Sequence, residues 1–249
     1  MGTRHDSTVW DESRLTDPHG QPDKAARVRA MFDEIAPTYS RVNTVLSLGR
    51  DAYWRRRAVA LAETAATDRV LDVACGTGDF ATTFAAASPT VIVGCDFSPR
   101  MLRLAALRNR RPIRWCQADA QALPFPDESF SLVSCAFGVR NFQDLDRGLA
   151  EMHRVLTPDG RAVILEFSVP RMPLWPSLYL FYFHRVLPRL AALISRDRFG
   201  AYRYLPQSVA SFVDEADMIA RLCRPGFGLV ESHRLTIGIV TVFIAWKDR

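Results

Sequence analysis

Val70-Leu71-Asp72-Val73-Ala74-Cys75-Gly76-Thr77-Gly78-Asp79 decides how this chain folds. The apolar run Val70–Ala74 has the length of a buried strand, and Asp79–Ala87 is a helical stretch. Between them, glycines let the backbone turn sharply and approach a ligand without Cβ interference. The same alternation continues downstream. Val91–Cys95 predicts a second strand ending at Asp96, and Ser98-Pro99 a helix start whose serine hydroxyl accepts from exposed amides. Met101, Leu102 and Ala105 turn that helix inward, and Ile113–Cys116 and Leu132–Ala136 predict two more strands. Leu145, Leu149, Met152 and Leu156 form the buried stripe of the next helix, before Pro158-Asp159-Gly160 turns the chain into a fifth strand, Arg161–Phe167. Strands alternating with helices predict an α/β, Rossmann-like domain: a mostly parallel sheet with helices on both faces.

Upstream, residues 1–24 are polar and turn-rich and read as a mobile tail. Residues 25–66 are helical. Val28, Met31, Phe32 and Ile35 share a face before Pro37, and a second helix, Asp51–Glu63, turns Trp54, Ala58 and Leu61 inward. The run Arg55-Arg56-Arg57 reads as a solvated helix face rather than a phosphate site. Downstream of the 69–167 core, residues 168–213 form an insertion rich in aromatics and proline. A helix near Asp214–Leu222 follows, then Leu229–Leu235 and Ile239–Trp246, spaced as a terminal hairpin with an antiparallel strand at the sheet edge. Residues 25–249 thus read as one domain, closed by the C-terminal helix and hairpin of 214–249.

Composition narrows the partners. With 249 residues, 48% of them apolar and 24% charged, the chain can bury a core and is not disordered. A net charge of +5 without clustered, aromatic-interleaved basic segments does not point to nucleic acid. Five widely spaced cysteines without a CxxC pair suggest neither a disulfide framework nor a metal site. No signal peptide and no spanning apolar run of roughly 18–20 residues is visible, so a cytoplasmic location is expected.

Electrostatics separates two readings of the glycine turn. Gly76 to Ala81 satisfies G-x-G-x-x-A, which admits a dinucleotide whose pyrophosphate would sit at the helix N-terminus. Asp72 and Asp79, however, bracket the turn; they repel a pyrophosphate and suit a ligand carrying an ammonium and a sulfonium, S-adenosylmethionine. Asp96 ends the second strand 18 residues beyond Gly78, where a carboxylate can accept from ribose hydroxyls. Asp119-Ala120 follows the third strand, toward the adenine edge. Each aspartate alone reads equally as a turn or cap residue; the ordered set at successive strand ends favours the cofactor. Gly76, Thr77 and Gly78 complete the expected cofactor-binding loop.

With these residues in place, the chain from about Val28 to Lys247 resembles the ubiquinone/menaquinone biosynthesis C-methyltransferases. The resemblance rests on Met31–Tyr39 (MFDEIAPTY), Leu71–Asp79, Ala122–Asp127 (ALPFPD), and most distinctively Phe137-Gly138-Val139-Arg140-Asn141 and Ala201–Pro206 (AYRYLP). It implies seven strands with the last antiparallel, and methylation of a ring carbon on a prenylated demethyl-quinol. It also implies cofactor contacts at Thr77, Asp96, Asp119 and Ala120. This sequence departs from the family at Ala136, where serine is usual. It departs again at Arg224-Pro225-Gly226-Phe227, Ile237-Gly238 and Phe243 near the C-terminus.

Methylating a quinol carbon requires a stabilised phenolate, since a phenol's ordinary pKa is about 10. Arg140 and Asn141, just beyond the fourth strand, are the candidate catalytic residues. Arginine stays protonated, so the base is water or a histidine such as His184. No metal is required. Met172–Phe183, followed by His184, Arg185 and Arg189, suits a prenyl tail and peripheral docking on a membrane; core packing or a homodimer contact would equally account for it. The alternatives are another small-molecule methyltransferase on this scaffold or a noncatalytic quinone- or lipid-binding relative.

Overall fold

The computed structural model describes residues 9–170 and 199–248. Four helices come first: α1 (Glu12–Leu15), α2 (Lys24–Ile35), α3 (Tyr39–Leu46) and α4 (Arg50–Leu61). The core then runs β1 (Arg69–Val73), α5 (Asp79–Phe84), β2 (Val91–Asp96), α6 (Pro99–Arg108), β3 (Arg114–Gln117), β4 (Phe130–Ala136), α7 (Leu145–Arg154) and β5 (Leu156–Phe167). Among the described residues, α8 (Ala201–Ala210), α9 (Glu215–Cys223), β6 (Phe227–Leu235) and β7 (Val240–Lys247) complete it.

The seven strands form one sheet in the order β3-β2-β1-β4-β5-β7-β6. β1 is central, pairing parallel with β2 (Leu71 opposite Val93) and β4 (Leu71 opposite Val133). Its interior is buried on both faces, as a sheet covered by helices on both sides requires. Because side chains alternate across a strand, Leu71 joins the core that packs on Leu149, Met152, Met218 and Leu222 of α7 and α9. Val70 joins the opposite core, with Trp54 and Ala58 of α4 and Phe80 and Phe84 of α5. Ser98 caps α6 by accepting from the Met101 amide at 3.1 Å, with Pro99 at the first turn, as the sequence predicts.

Three local expectations are corrected. Leu156 is not on a helix: α7 ends at Arg154 and Leu156 opens β5 opposite Phe130. Thr157 to Gly160 then loop out before pairing resumes at Leu132 opposite Arg161, so Pro158-Asp159-Gly160 makes an excursion within the strand. A Cβ at Gly160 would lie 2.7 Å from the Thr157 carbonyl, so the loop closes only with glycine there. Second, the terminal hairpin exists, but its antiparallel strand is not at the edge. β7 lies between β5 and β6, antiparallel to both. Its first six residues are buried and need neighbours on both sides, whereas the largely exposed β6 suits the edge. Third, part of the segment read as a mobile tail is packed. Trp10 is fully buried, its ring centroid 4.4 Å from that of Tyr204, and Leu15, Val28, Met31 and Ile35 join the same small core. An indole can bury enough apolar area to order a polar segment around it.

Candidate active site

The carboxyl ends of β1, β2 and β4 open into a crevice roofed by Ala25, Phe32 and Tyr39 from α2 and α3. Two non-glycine residues in the left-handed region shape it: Ala74 (φ 52) just past β1 and Phe137 (φ 57) just past β4. Such conformations are uncommon and concentrate at ligand sites, and nothing in the residue types announces them. Gly76 (φ 54) and Gly78 (φ 80) turn the loop between. A Cβ on Gly78 would fall 2.4 Å from the Trp115 ring. On Gly76 it would meet only Tyr39 Cε1 at 3.8 Å, so the backbone there is open to a ligand.

Asp96 is the anchor of the crevice. Its Oδ2 accepts from the Gly76 amide and its Oδ1 from the Ser98 amide, both at 2.8 Å, clamping the glycine turn to the start of α6. A carboxylate has about four acceptor positions, so these amides leave acceptor capacity for a ligand hydroxyl. Burial pushes its pKa up to about 6, against the pull of those amides. Asp119, exposed, and Ala120 also line the crevice, while Phe97 and Met101 give it apolar walls. This set of carboxylates, open backbone and apolar surface fits the adenosyl and ribose parts of S-adenosylmethionine and offers a pyrophosphate no countercharge.

The other loop residues are placed differently. Thr77 and Asp79 face α3: Thr77 Oγ1 lies 2.9 Å from Ser40 Oγ and donates to Asp79 Oδ2 at 3.1 Å. Arg108 Nη1 donates to the same Ser40 oxygen, so these contacts tie α3 and α6 to the turn. Asp72 does not reach the crevice, which corrects the picture of two aspartates flanking the ligand. It is fully buried, accepting from the Ala81 amide at 3.0 Å and the Ser134 hydroxyl at 2.8 Å. Burial raises its pKa to about 7, against the pull of those two donors. It holds the strand–helix turn together, and the crevice's negative field comes from Asp96 and Asp119.

Arg140 and Asn141 lie on a one-turn 3-10 helix, Val139–Asn141, beyond β4. Arg140 is 5% exposed; its Nη1 donates to Glu166 Oε1 at 2.6 Å and to the Phe137 carbonyl at 2.7 Å. Its guanidinium carbon lies 5.5 Å from the centre of the Phe167 ring. Burial opposes the charge, but Glu166 outweighs it and holds the pKa above the usual arginine value. Arg140 Nε is buried with no hydrogen-bond partner, one of two such side-chain atoms among the described residues. Asn141 lines the crevice, and its Oδ1 accepts from the Tyr204 hydroxyl at 3.0 Å. Glu166 and Phe167 also line a second cavity of about 480 Å³, with Val209, Phe212, Met218 and Phe243 on its apolar part and Asp214, Glu215 and Arg234 on its charged part.

The sequence reading missed several partners. Glu166 is a carboxylate directly after the apolar run Ala162–Leu165, the one signal that could have found it. Tyr204 belongs to the distinctive Ala201–Pro206 block. Lys24 donates to the Phe142 carbonyl at 2.6 Å and lies 3.3 Å from His19 Nδ1. Burial, helped by the Arg140 charge, lowers its pKa to about 8. His184 and Met172–Phe183 lie outside the described residues. Among the described residues there is no cluster of three or more metal-binding side chains, and no helix long and apolar enough to cross a membrane.

Known proteins resemble this chain in sequence and in fold. Residues 21–247 match the ubiE/COQ5 methyltransferase family. The chain is 48% identical to a demethylmenaquinone methyltransferase of Deinococcus radiodurans over 229 residues, covering 90% of this chain and 94% of that one. It is 45% identical to the ubiquinone/menaquinone biosynthesis C-methyltransferase UbiE of Geotalea daltonii over 232 residues, covering 90% and 98%. Its fold resembles that of a SAM-dependent methyltransferase from Thermotoga maritima, with TM-score 0.62, 18% identity, and 88% and 99% covered. The chain belongs to the ubiE/COQ5 methyltransferase family and is a methyltransferase that uses S-adenosylmethionine.

Proposed function

We propose that the protein methylates a ring carbon of a prenylated demethyl-quinol, converting demethylmenaquinol to menaquinol at the membrane surface. The observation that carries this reading is Arg140, a buried guanidinium locked by Glu166 and the Phe137 carbonyl with Nε left unpartnered, directly behind Phe137, Gly138 and Asn141 of the crevice wall. The relatives' names, demethylmenaquinone methyltransferase among them, support the substrate class. Gly76, Asp96, Asp119 and Ala120 hold the cofactor, which when bound supplies a methyl group already activated on a sulfonium.

The chain's own residues must then make a ring carbon nucleophilic. Arg140 stays charged and stabilises the oxyanion left when a quinol hydroxyl loses its proton. Glu166 and the Phe167 ring fix the guanidinium in place, so little reorganisation accompanies the reaction. Asn141, oriented by Tyr204, positions the ring through its remaining amide valences. The cavity beyond Glu166 has an apolar portion, formed by Val209, Phe212, Met218 and Phe243, suited to a prenyl tail.

Turnover and cofactor affinity, measured separately, test the assignment. Arg140→Ala lowers turnover by about a hundredfold or more, the range seen for lost oxyanion stabilisation. It leaves the calorimetric Kd for S-adenosylmethionine within about twofold of wild type. Arg140→Lys keeps a charge opposite Glu166 and controls for folding. Unchanged turnover in Arg140→Ala removes the residue from the reaction. The quinone that accumulates in a strain lacking the gene identifies the ring, and a species other than a demethyl-quinol overturns the substrate.

A further inference from the structure

Seven large apolar side chains are exposed among the described residues: Val45, Leu48, Tyr53, Leu107, Val169, Leu229 and Ile237. Five of them lie on three segments joined by direct contacts. Val45, Leu48 and Tyr53 lie at the corner between α3 and α4, and Leu48, 84% exposed, is its tip. Trp54 ties that corner to the turn between β6 and β7, donating from Nε1 to Thr236 Oγ1 at 2.7 Å, next to Ile237. Ser168, beside Val169, donates to the Gly238 carbonyl of the same turn at 2.8 Å. Trp54 also packs edge-on against Phe137 and Phe167, so this face adjoins the carboxyl ends of β4 and β5, where the site lies. Val169 and Ile237 line the second cavity.

Two of these side chains are held out at a conformational cost. Leu48 (φ 52) and Ile237 (φ 60) both occupy the left-handed region. For β-branched Ile237 this is a genuine outlier, and exposing its side chain to water adds a second cost. Both costs are offset if something apolar covers the face. The charge at the α3/α4 corner is basic, while Asp214 and Glu215 lie on the cavity side, by Val169 and Ile237. Arg41, Arg50, Arg56 and Arg57 are exposed, and the lone acid between Arg41 and Arg57, Asp51, is buried and paired with Arg55 at 2.5 Å.

We propose that this face docks on a lipid bilayer carrying anionic headgroups, with Leu48, Tyr53 and Ile237 inserted among the acyl chains and the arginines at the phosphates. The chemistry is that of interfacial anchoring: a small apolar wedge supplemented by basic residues. A second copy of the chain fits less well, because two such faces would bring their arginines together. The proposal rests on the reading that the substrate is a prenylated quinol, whose tail must leave a bilayer to reach the site.

Flotation of the full chain with phosphatidylcholine vesicles containing 30% phosphatidylglycerol tests it. Wild type floats with these vesicles and not with pure phosphatidylcholine. Leu48→Glu reduces the bound fraction by about tenfold or more, and Arg50→Ala by about fivefold. Ile237→Asn, a residue at ease at this φ, also lowers binding while folding at least as well. Leu107→Glu, equally exposed but on α6, leaves flotation unchanged. With a short-chain, water-soluble demethyl-quinol, Leu48→Glu and wild type turn over at equal rates; with a long-chain substrate in vesicles only the variant slows. Flotation of Leu48→Glu at the wild-type level overturns the proposal, as does wild type that ignores anionic vesicles. So does a dimer that Leu48→Glu dissociates without altering flotation. If the substrate reading alone is wrong, neither protein turns over the soluble quinol, yet the flotation difference persists.

Discussion

The two halves of the site are built in opposite ways. On the cofactor side, most contacts join neighbours in sequence: Asp96 reaches back 20 residues to Gly76 and forward two to Ser98, and Asp72 reaches nine to Ala81, besides its longer bond to the Ser134 hydroxyl. The short-range donors are backbone amides, which any sequence carries, so the turn conformation does the selecting. On the substrate side, Arg140 meets Glu166 across 26 residues, Asn141 meets Tyr204 across 63, and Lys24 meets Phe142 across 118. Each involves at least one side chain, several of them charged and buried, whose geometry depends on the whole fold. Damage on the first side should therefore show in cofactor affinity, and damage on the second in stability and turnover.

Glu166→Ala tests that division most severely. It leaves the Arg140 guanidinium buried without its counterion, and breaking a buried pair in this way costs about 3–5 kcal/mol. Urea unfolding will show that loss while the cofactor Kd of the folded fraction stays near wild type; a loss below about 1 kcal/mol would mean the pair does not hold this half together. Next in size is the response to cofactor itself. At a hundredfold excess over Kd, S-adenosylmethionine should stabilise the protein by about 2.7 kcal/mol, and NAD at the same concentration should not. A matching shift with NAD would reverse the reading of the crevice.

Asp96→Asn comes third. An amide oxygen replaces one acceptor and an NH2 group faces the other backbone donor, so Kd rises about tenfold to thirtyfold by calorimetry while turnover at saturation is preserved. The wild-type Kd carries a pH signature as well. With the Asp96 pKa raised to about 6, lowering the pH through that value protonates the carboxyl, removes acceptor capacity and weakens binding; the Asn variant should lose this dependence. The smallest effect belongs to Tyr204→Phe, which removes the hydrogen bond to Asn141. It should cost about 1 kcal/mol of stability and lower kcat several-fold with the cofactor Kd unchanged. A change in cofactor Kd instead would show that the two halves, which share the crevice through Asn141, act as one.

Much of the architecture was legible beforehand because it is written in periodicity. Strands β1, β2 and β4 are short apolar runs closed by turn residues, and the Ser98-Pro99 cap behaves as its chemistry dictates. The misplacements have physical causes. Leu156 fits both a helical stripe and a strand opening, and only its pairing with Phe130 separates the two. The order of β6 and β7 depends on which strand can be covered on both faces, which spacing does not encode. Asp72 and Asp96 look alike in sequence, each an aspartate at a strand end. Asp72 lies within β1 at a position whose side chain points into the protein, whereas Asp96 closes β2 at the crevice.

The amino-acid sequence by itself determined the strand–turn–helix units, the glycine turn and the identity of the carboxylate that ends β2, because each follows from steric preference and hydrophobic pattern over a few residues. Only the tertiary structure decided that Asp72 is buried beneath the turn, that Glu166 neutralises Arg140, that Trp10 packs on Tyr204, and that the segments carrying Leu48 and Ile237 are joined through Trp54. Those facts are meetings of residues distant along the chain, and burial, charge pairing and exposure acquire values only once the chain has closed on itself.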